Sequence, residues 1–283
     1  MKDIDVILAK NAGPCFGVKR AIAIARSALE KQNGPIYSLG PIIHNRQVVD
    51  KLAGKGLRVV DDVRSIEAGT VIVRCHGVGP EPIREAKARG LEVIDATCPF
   101  VERCHEYARQ LSREGYFTVV VGDTNHPEVV ATVANAGGRA CVVNSPEGAS
   151  ACEDCEKLGI IAQTTQSRER FYSIVSVLVE KARNARVHNT ICNITSLKQA
   201  ATRELASSVD VMVIVGGRES ANTRRLFDMS KEKNQRTYQV EGPSELEKRW
   251  FDGISAAGVM GGASTPDWIL EDVVKWVRER GGE

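Results

Sequence analysis

Three cysteines stand at nearly even intervals along this chain of 283 residues, and each has the same kind of neighbourhood. Cys15 lies in Asn11-Ala12-Gly13-Pro14-Cys15-Phe16-Gly17-Val18, Cys98 in Asp95-Ala96-Thr97-Cys98-Pro99, and Cys192 in Asn189-Thr190-Ile191-Cys192-Asn193. Each follows an apolar, strand-like run and opens a helix-like one. Three copies of strand, cysteine and helix predict three similar α/β units with one thiolate each at a common centre. Cysteine thiolates are the usual ligands of iron–sulfur clusters. Three of them on a four-iron cluster would leave one iron open to substrate, which would make the cluster a reaction site.

The same alternation runs from end to end. Short β-branched runs at Ile4–Leu8, Thr70–Val73, Phe117–Val121, Val209–Val215 and Ala257–Met260 are separated by amphipathic stretches. Those of helical period are Val18–Lys31, Glu81–Arg89, Val101–Arg113, Arg168–Arg183 and Pro266–Arg280. A continuous apolar run such as Val211-Met212-Val213-Ile214-Val215 fits a parallel strand covered on both faces. Strands alternating with helices predict βαβ units. The cysteines divide the chain better than composition does, and predict domains at 1–96, 97–191 and 192–283.

Bulk properties exclude several classes. Lys and Arg number 38 against 36 Asp and Glu, with no basic run, which is no nucleic-acid footprint. Aromatic residues make up only 5%, too few for base-stacking platforms. No apolar stretch reaches the roughly 18 residues of a membrane span. Met1-Lys2-Asp3-Ile4-Asp5 places acids where a signal peptide has its apolar core, so a cytoplasmic protein is expected. The eight cysteines are then expected to serve metal binding or catalysis, not disulfides. Neither a GxGxxG fingerprint nor a GxxxxGK[ST] loop is present.

Polar residues collect where strands should end, the usual place for ligands in open α/β sheets. His44, His76 and His126 each follow an apolar run and precede a helix, a setting that suits anion binding or proton transfer; a structural, hydrogen-bonded histidine is the alternative for any one of them. Pro127 suits the first position of a helix, with His126 as its cap and Glu128 in the first turn. Two segments read as anion cradles at helix starts, with ordinary capping as the alternative. One is Gly216-Gly217-Arg218-Glu219-Ser220-Ala221-Asn222. The other is Gly261-Gly262-Ala263-Ser264-Thr265-Pro266, with Ser264 or Thr265 as cap and Pro266 at the first helical position. A third turn, Gln163-Thr164-Thr165-Gln166, offers hydroxyls. Cys152-Glu153-Asp154-Cys155 has redox or zinc spacing but no matching second pair. Cys104 reads as helix core, His105 as helix surface and Cys141 as core.

Taken together, these pieces resemble the LytB protein family, the 4-hydroxy-3-methylbut-2-enyl diphosphate reductases. The resemblance runs from about Cys15 to Pro266. It rests on Cys15-Phe16-Gly17-Val18-Lys19-Arg20-Ala21, His76-Gly77-Val78, Asp95-Ala96-Thr97-Cys98-Pro99, His126-Pro127-Glu128-Val129, Gln163-Thr164-Thr165, Thr190-Ile191-Cys192 and Gly262-Ala263-Ser264-Thr265-Pro266. It implies an α/β fold of three domains in a pseudo-threefold trefoil around a central [4Fe–4S] cluster on Cys15, Cys98 and Cys192. It implies that His44, His76, His126, Ser220, Asn222 and Ser264 hold a substrate diphosphate, that Thr164 orients the substrate hydroxyl, and that Glu128 supplies a proton. Thr165 and Thr195 would line the same pocket. The implied reaction is reductive dehydroxylation of (E)-4-hydroxy-3-methylbut-2-enyl diphosphate to isopentenyl and dimethylallyl diphosphate, the last step of the non-mevalonate pathway. Electrons would come from a ferredoxin or flavodoxin. The sequence departs from the family pattern at Ala221, where many members carry a second serine, at Pro14, and at Met260-Gly261.

Other classes share parts of this pattern. Quinolinate synthase also uses three cysteines, but has no need of the diphosphate cradle. An iron–sulfur carrier or sensor usually wants four cysteines and has no use for Glu128. A zinc protein built on Cys152 and Cys155 is the remaining alternative.

Overall fold

A computed structural model describes residues 4–31 and 34–280. In chain order the elements are β1 (Asp5–Leu8), α1 (Phe16–Lys31), β2 (Ile36–Leu39), α2 (Arg46–Ala53), β3 (Leu57–Val60), β4 (Thr70–Val73), α3 (Pro80–Ala88), β5 (Glu92–Asp95), α4 (Pro99–Arg113), β6 (Phe117–Val121), α5 (Pro127–Asn135), β7 (Ala140–Val143), α6 (Pro146–Ser150), β8 (Cys155–Ala162), α7 (Arg168–Leu178), β9 (Ala182–His188), α8 (Asn193–Ala206), β10 (Val211–Val215), α9 (Ala221–Lys233), β11 (Thr237–Val240), β12 (Ala256–Gly261) and α10 (Asp267–Arg280). The expected α/β class holds. Among the described residues the strands form three four-stranded sheets, parallel throughout. No helix among them is long and apolar enough to cross a membrane.

The chain falls into two compact units. One holds residues 19–43 and 49–192 and contains two sheets, ordered β3-β2-β4-β5 and β7-β6-β8-β9. In each, the first strand in the chain pairs with the second on one side and the third on the other, and the fourth takes the edge. The central strands are apolar on both faces because helices cover both. Val119, Val121 and Ile160 face Phe171, Ile174 and Leu178 of α7. Val120 and Ile161 turn the other way, onto Ala108 and Leu111 of α4 and Val129 of α5. This alternation is the period of two that a pleated strand imposes.

The other unit holds residues 4–18, 44–48 and 193–280, with a sheet ordered β1-β12-β10-β11. Its order from the far edge, β11-β10-β12-β1, repeats the pattern of the other two, with β1 in the place of the fourth strand. Asp5 to Leu8 pair in register with Ala256 to Val259. The expected domain 1–96 is therefore redistributed. Its first strand belongs to the C-terminal sheet, and Cys15 closes that repeat where the sequence reading has it open the first. Pairing with buried β12 satisfies the polar backbone of β1 on its inner side.

Several boundaries also differ, two of them with a clear physical cause. The helix expected over Arg168–Arg183 ends at Leu178, and Ala182–His188 forms the mostly exposed edge strand β9. Ladder pairing with β8 overrides the helix preference of its Ala and Arg residues. Helix α10 starts at Asp267, one residue after the expected Pro266. The Pro266 carbonyl accepts from Ile269 and Leu270, while the Thr265 hydroxyl donates to the Val215 carbonyl at 2.6 Å.

Lys198, a cation in α8, is only 1% exposed. Its Nζ donates to the carbonyls of Asn11, Ala12 and Gly261, the last two at 3.0 Å. An ammonium has three donors, and this arrangement uses all three on the backbone between β1 and Cys15 and at the end of β12. Lys198→Met should leave those carbonyls without their donor and lower the unfolding free energy by about 1–3 kcal/mol. The check is the chemical-denaturation midpoint, and an unchanged midpoint would remove Lys198 as a brace.

Candidate functional site

The unit of residues 19–43 and 49–192 collects most of the chemistry. Strand β5 ends at Asp95, whose carboxylate accepts from the Thr97 amide at 2.8 Å and turns the chain. Arg20 donates to the Thr97 carbonyl at 2.9 Å. Cys98 then caps α4, with Pro99 at its first position and the amides of Val101 and Glu102 on the Cys98 carbonyl. The Cys98 thiol is drawn down to about 7. Hydrogen bonding from the Cys75 thiol is the main cause, aided by the first-turn amides of Phe100 and Val101. The Cys98 amide also donates to the Cys75 carbonyl at 2.9 Å. Sequence reasoning missed Cys75 because its partner is distant in the chain.

Glu128 is 2% exposed. Pro127 opens α5, and His126 caps it, as expected, its Nδ1 accepting from the Glu128 amide at 3.2 Å. The buried carboxylate is held by one residue across the sheet. Thr164 donates its amide to Oε1 at 2.6 Å and its hydroxyl to Oε2 at 2.8 Å. The Thr164 carbonyl accepts from the Cys192 amide at 2.9 Å. Carboxylate, hydroxyl and the third repeat cysteine are thus joined through Thr164. Next to it, Thr165 Oγ1 accepts from Gln163 Nε2 at 3.0 Å. The rings of His76 and His126 meet edge to face, their centroids 5.5 Å apart.

Two neighbours of this network are structural. Cys104 is core, as expected; burial and the nearby Glu128 carboxylate push its thiol well above the ordinary range, so it stays protonated. His105, expected on the helix surface, is instead 2% exposed. Its ring fills the space over Gly77, where an added Cβ would lie 2.4 Å from Cε1, and Gly77 itself has φ of +69°. Glu102, 3.5 Å from His105 Nδ1, is held down to about 2 by its hydrogen bond with His105 and then by Arg109.

The unit of residues 4–18, 44–48 and 193–280 carries the rest. The Cys15 amide donates to the Ala263 carbonyl at 3.0 Å, and α1 starts at the next residue. Ser264 donates to the His44 carbonyl at 2.9 Å. Ser220 caps α9, its hydroxyl accepting from the Thr223 amide at 3.3 Å. Thr195 is buried in α8. Asn222 is 3% exposed, and neither Oδ1 nor Nδ2 has a hydrogen-bond partner among the described residues. A buried carboxamide with nothing bound to either end suits a polar ligand that offers both acceptor and donor.

The candidate residues occupy equivalent places in the three repeats. Cys98, Cys192 and Cys15 follow the fourth strands β5, β9 and β1. His44, His126 and Ser220 follow the first central strands β2, β6 and β10. His76, Thr164 and Ser264 follow the second central strands β4, β8 and β12. All lie beyond carboxyl ends of parallel strands, where α/β sheets bind ligands.

Known proteins resemble this chain in sequence and in fold. The profile of the LytB protein family matches residues 6–278. A 4-hydroxy-3-methylbut-2-enyl diphosphate reductase of Aquifex aeolicus is 46% identical over 279 residues, 98% of this chain and 96% of that one. One of Geobacter metallireducens is 46% identical over 276 residues, 98% of each. Among solved structures, (E)-4-hydroxy-3-methyl-but-2-enyl diphosphate reductase, described as the terminal enzyme of the non-mevalonate pathway, superposes with a TM-score of 0.70. It is 44% identical and covers 98% of this chain and 99% of its own. The E-1-hydroxy-2-methyl-but-2-enyl-4-diphosphate reductase from Plasmodium falciparum has a TM-score of 0.92 at 27% identity, over 98% of this chain and 88% of its own. With a profile match over nearly its whole length and relatives this similar, the chain belongs to the LytB protein family.

Proposed function

We infer that this chain is a 4-hydroxy-3-methylbut-2-enyl diphosphate reductase, taking (E)-4-hydroxy-3-methylbut-2-enyl diphosphate to isopentenyl and dimethylallyl diphosphate. The observation that carries this reading is the buried Glu128 carboxylate, held at both oxygens by Thr164, whose carbonyl takes the Cys192 amide. An electron carrier has no use for such a carboxylate.

Cys15, Cys98 and Cys192 would hold a [4Fe–4S] cluster. The donor set fits: three half-buried thiols, none in a disulfide, each directly before a helix whose N-terminus favours a thiolate. The lowered Cys98 thiol fits as well. When bound, the cluster supplies electrons and Lewis acidity.

The protein's own groups do the rest. Asn222, Ser220 and Ser264 would bind the diphosphate with His44, His76 and His126, and so fix where the hydroxymethyl end lies. Asn222 gains the partners it lacks. Thr164 orients the substrate hydroxyl, and Thr165 and Thr195 line the pocket. In its protonated form Glu128 would deliver the proton with which that hydroxyl leaves as water, a general-acid role open to a carboxyl group kept out of solvent. His126, whose Nδ1 fixes the backbone of Glu128, completes the catalytic set. The enzyme would work in the cytoplasm, with a ferredoxin or flavodoxin as electron donor.

The direct test is a Mössbauer spectrum of anaerobically purified, isotopically labelled protein, with and without the hydroxy-allyl diphosphate. One distinct iron that changes on adding the diphosphate supports the reading; absent iron, or a symmetric cluster indifferent to the ligand, overturns it. Cys98→Ser should lose cluster and turnover together, measured as iron content and product formation. Glu128→Gln keeps an acceptor for the Thr164 amide, so fold, cluster and diphosphate affinity should survive. Its turnover should fall by about 10²-fold or more, and near-normal turnover would remove Glu128 as the proton source.

A further inference from the structure

Three thiols outside the proposed reaction gather on the sheet β7-β6-β8-β9. Cys141 is the second residue of the edge strand β7, Cys152 follows α6, and Cys155 opens β8. All three are free and half-buried, and all pack against the apolar cluster around Phe171, Ile174 and Leu178. Alternation along β7 sends Cys141 and Val143 to this cluster, and Ala140 and Val142 to the opposite one. Helix α6 packs on β7. The turn after α6 is fixed by the Cys152 amide on the Ala149 carbonyl at 3.1 Å, and the Cys152 thiol reaches the Gly148 carbonyl at 3.5 Å. This geometry puts the Cys141 and Cys152 thiols within hydrogen-bonding reach of each other. Cys155 lies near Cys152 but makes no such bond with it. Among the described residues the three sulfurs do not converge closely enough to share one metal ion.

We propose that Cys141 and Cys152 are a reversible redox modification site, which forms a disulfide by exchange with a low-molecular-weight disulfide and is separate from Cys15, Cys98 and Cys192. The Cys152 thiolate attacks one sulfur of the small disulfide; that S–S bond breaks, and one small thiolate leaves and takes up a proton. Cys141 then loses its proton, attacks Cys152 Sγ and expels the second small thiolate. The two protein thiols give up two electrons and two protons, and the small disulfide departs as two thiols. Burial and the neighbouring Cys152 push the Cys141 thiol up to about 11, which suits Cys141 to the second, resolving step. The product would tie the end of α6 to the edge strand β7.

The test uses the whole protein as purified anaerobically, incubated with oxidised glutathione, then alkylated, digested and analysed by mass spectrometry. The expected result is a peptide pair joined through Cys141 and Cys152. Both residues should leave the alkylatable pool together and return after dithiothreitol. The same treatment of Cys152→Ser should leave Cys141 alkylatable. The proposal is overturned if both thiols stay alkylatable in excess glutathione disulfide, if only mixed disulfides with glutathione accumulate, or if the cross-link joins Cys152 to Cys155. The wild-type readout is independent of how the variant folds, and of the reaction proposed above.

Discussion

The grip of Thr164 on Glu128 is the interaction around which the candidate site is organised. A carboxylate removed from water costs several kcal/mol unless its oxygens are hydrogen-bonded. Glu128 meets that requirement with one backbone and one side-chain donor from a single residue. Those donors can come from one residue only because β8 ends at Ala162, two positions earlier, and β6 ends before the turn to α5. The strand ends set the distance, the His126 cap sets the direction of α5, and the Cys192 amide locks the Thr164 carbonyl. The Glu128 carboxylate, the Thr164 hydroxyl and the backbone of Cys192 are therefore linked by hydrogen bonds that run through Thr164.

The repeat pattern explains why such different residue types end up in equivalent places. Each parallel strand delivers its last residue to the same edge of its sheet, and the following helix presents its N-terminus there. At fourth strands that position holds a cysteine, where the helix start favours the thiolate. At central strands it holds histidine, threonine or serine, which suit an anionic ligand. The C-terminal sheet achieves the same pattern by recruiting β1 from the other end of the chain. That pairing is what brings Cys15 to a fourth-strand end like those before Cys98 and Cys192.

Much of this was legible in the sequence, and the misses have specific causes. Apolar runs gave Thr70–Val73 and Phe117–Val121 to the residue, because buried parallel strands carry an unbroken signal. The His126 cap followed from Pro127 alone. Sheet membership of β1 was not legible, since a short strand carries no mark of which partner it will pair with. His105 was misjudged, and the burial of Lys198 went unforeseen, because polarity predicts exposure on average. Three backbone carbonyls can bury an ammonium, and a glycine can leave room for an imidazole. Cys75 escaped for a related reason: its role toward Cys98 arises where β4 and β5 lie side by side, and sequence distance hides that contact.

Asn222 shows what the fold gives up at the start of α9. Each buried polar group left unsatisfied costs about 1–3 kcal/mol, and this carboxamide has two among the described residues. A protein under selection for stability alone would place a leucine there. The cost is tolerable because α9 is anchored elsewhere, by Leu226 in the core and by the Ser220 cap. It is also recoverable, since a ligand that pairs both ends of the amide regains in binding what the empty state lacks. Ala221 beside it, also buried, contributes no such group. Under the proposed function, side-chain recognition of the diphosphate on this helix would rest on Asn222 and Ser220.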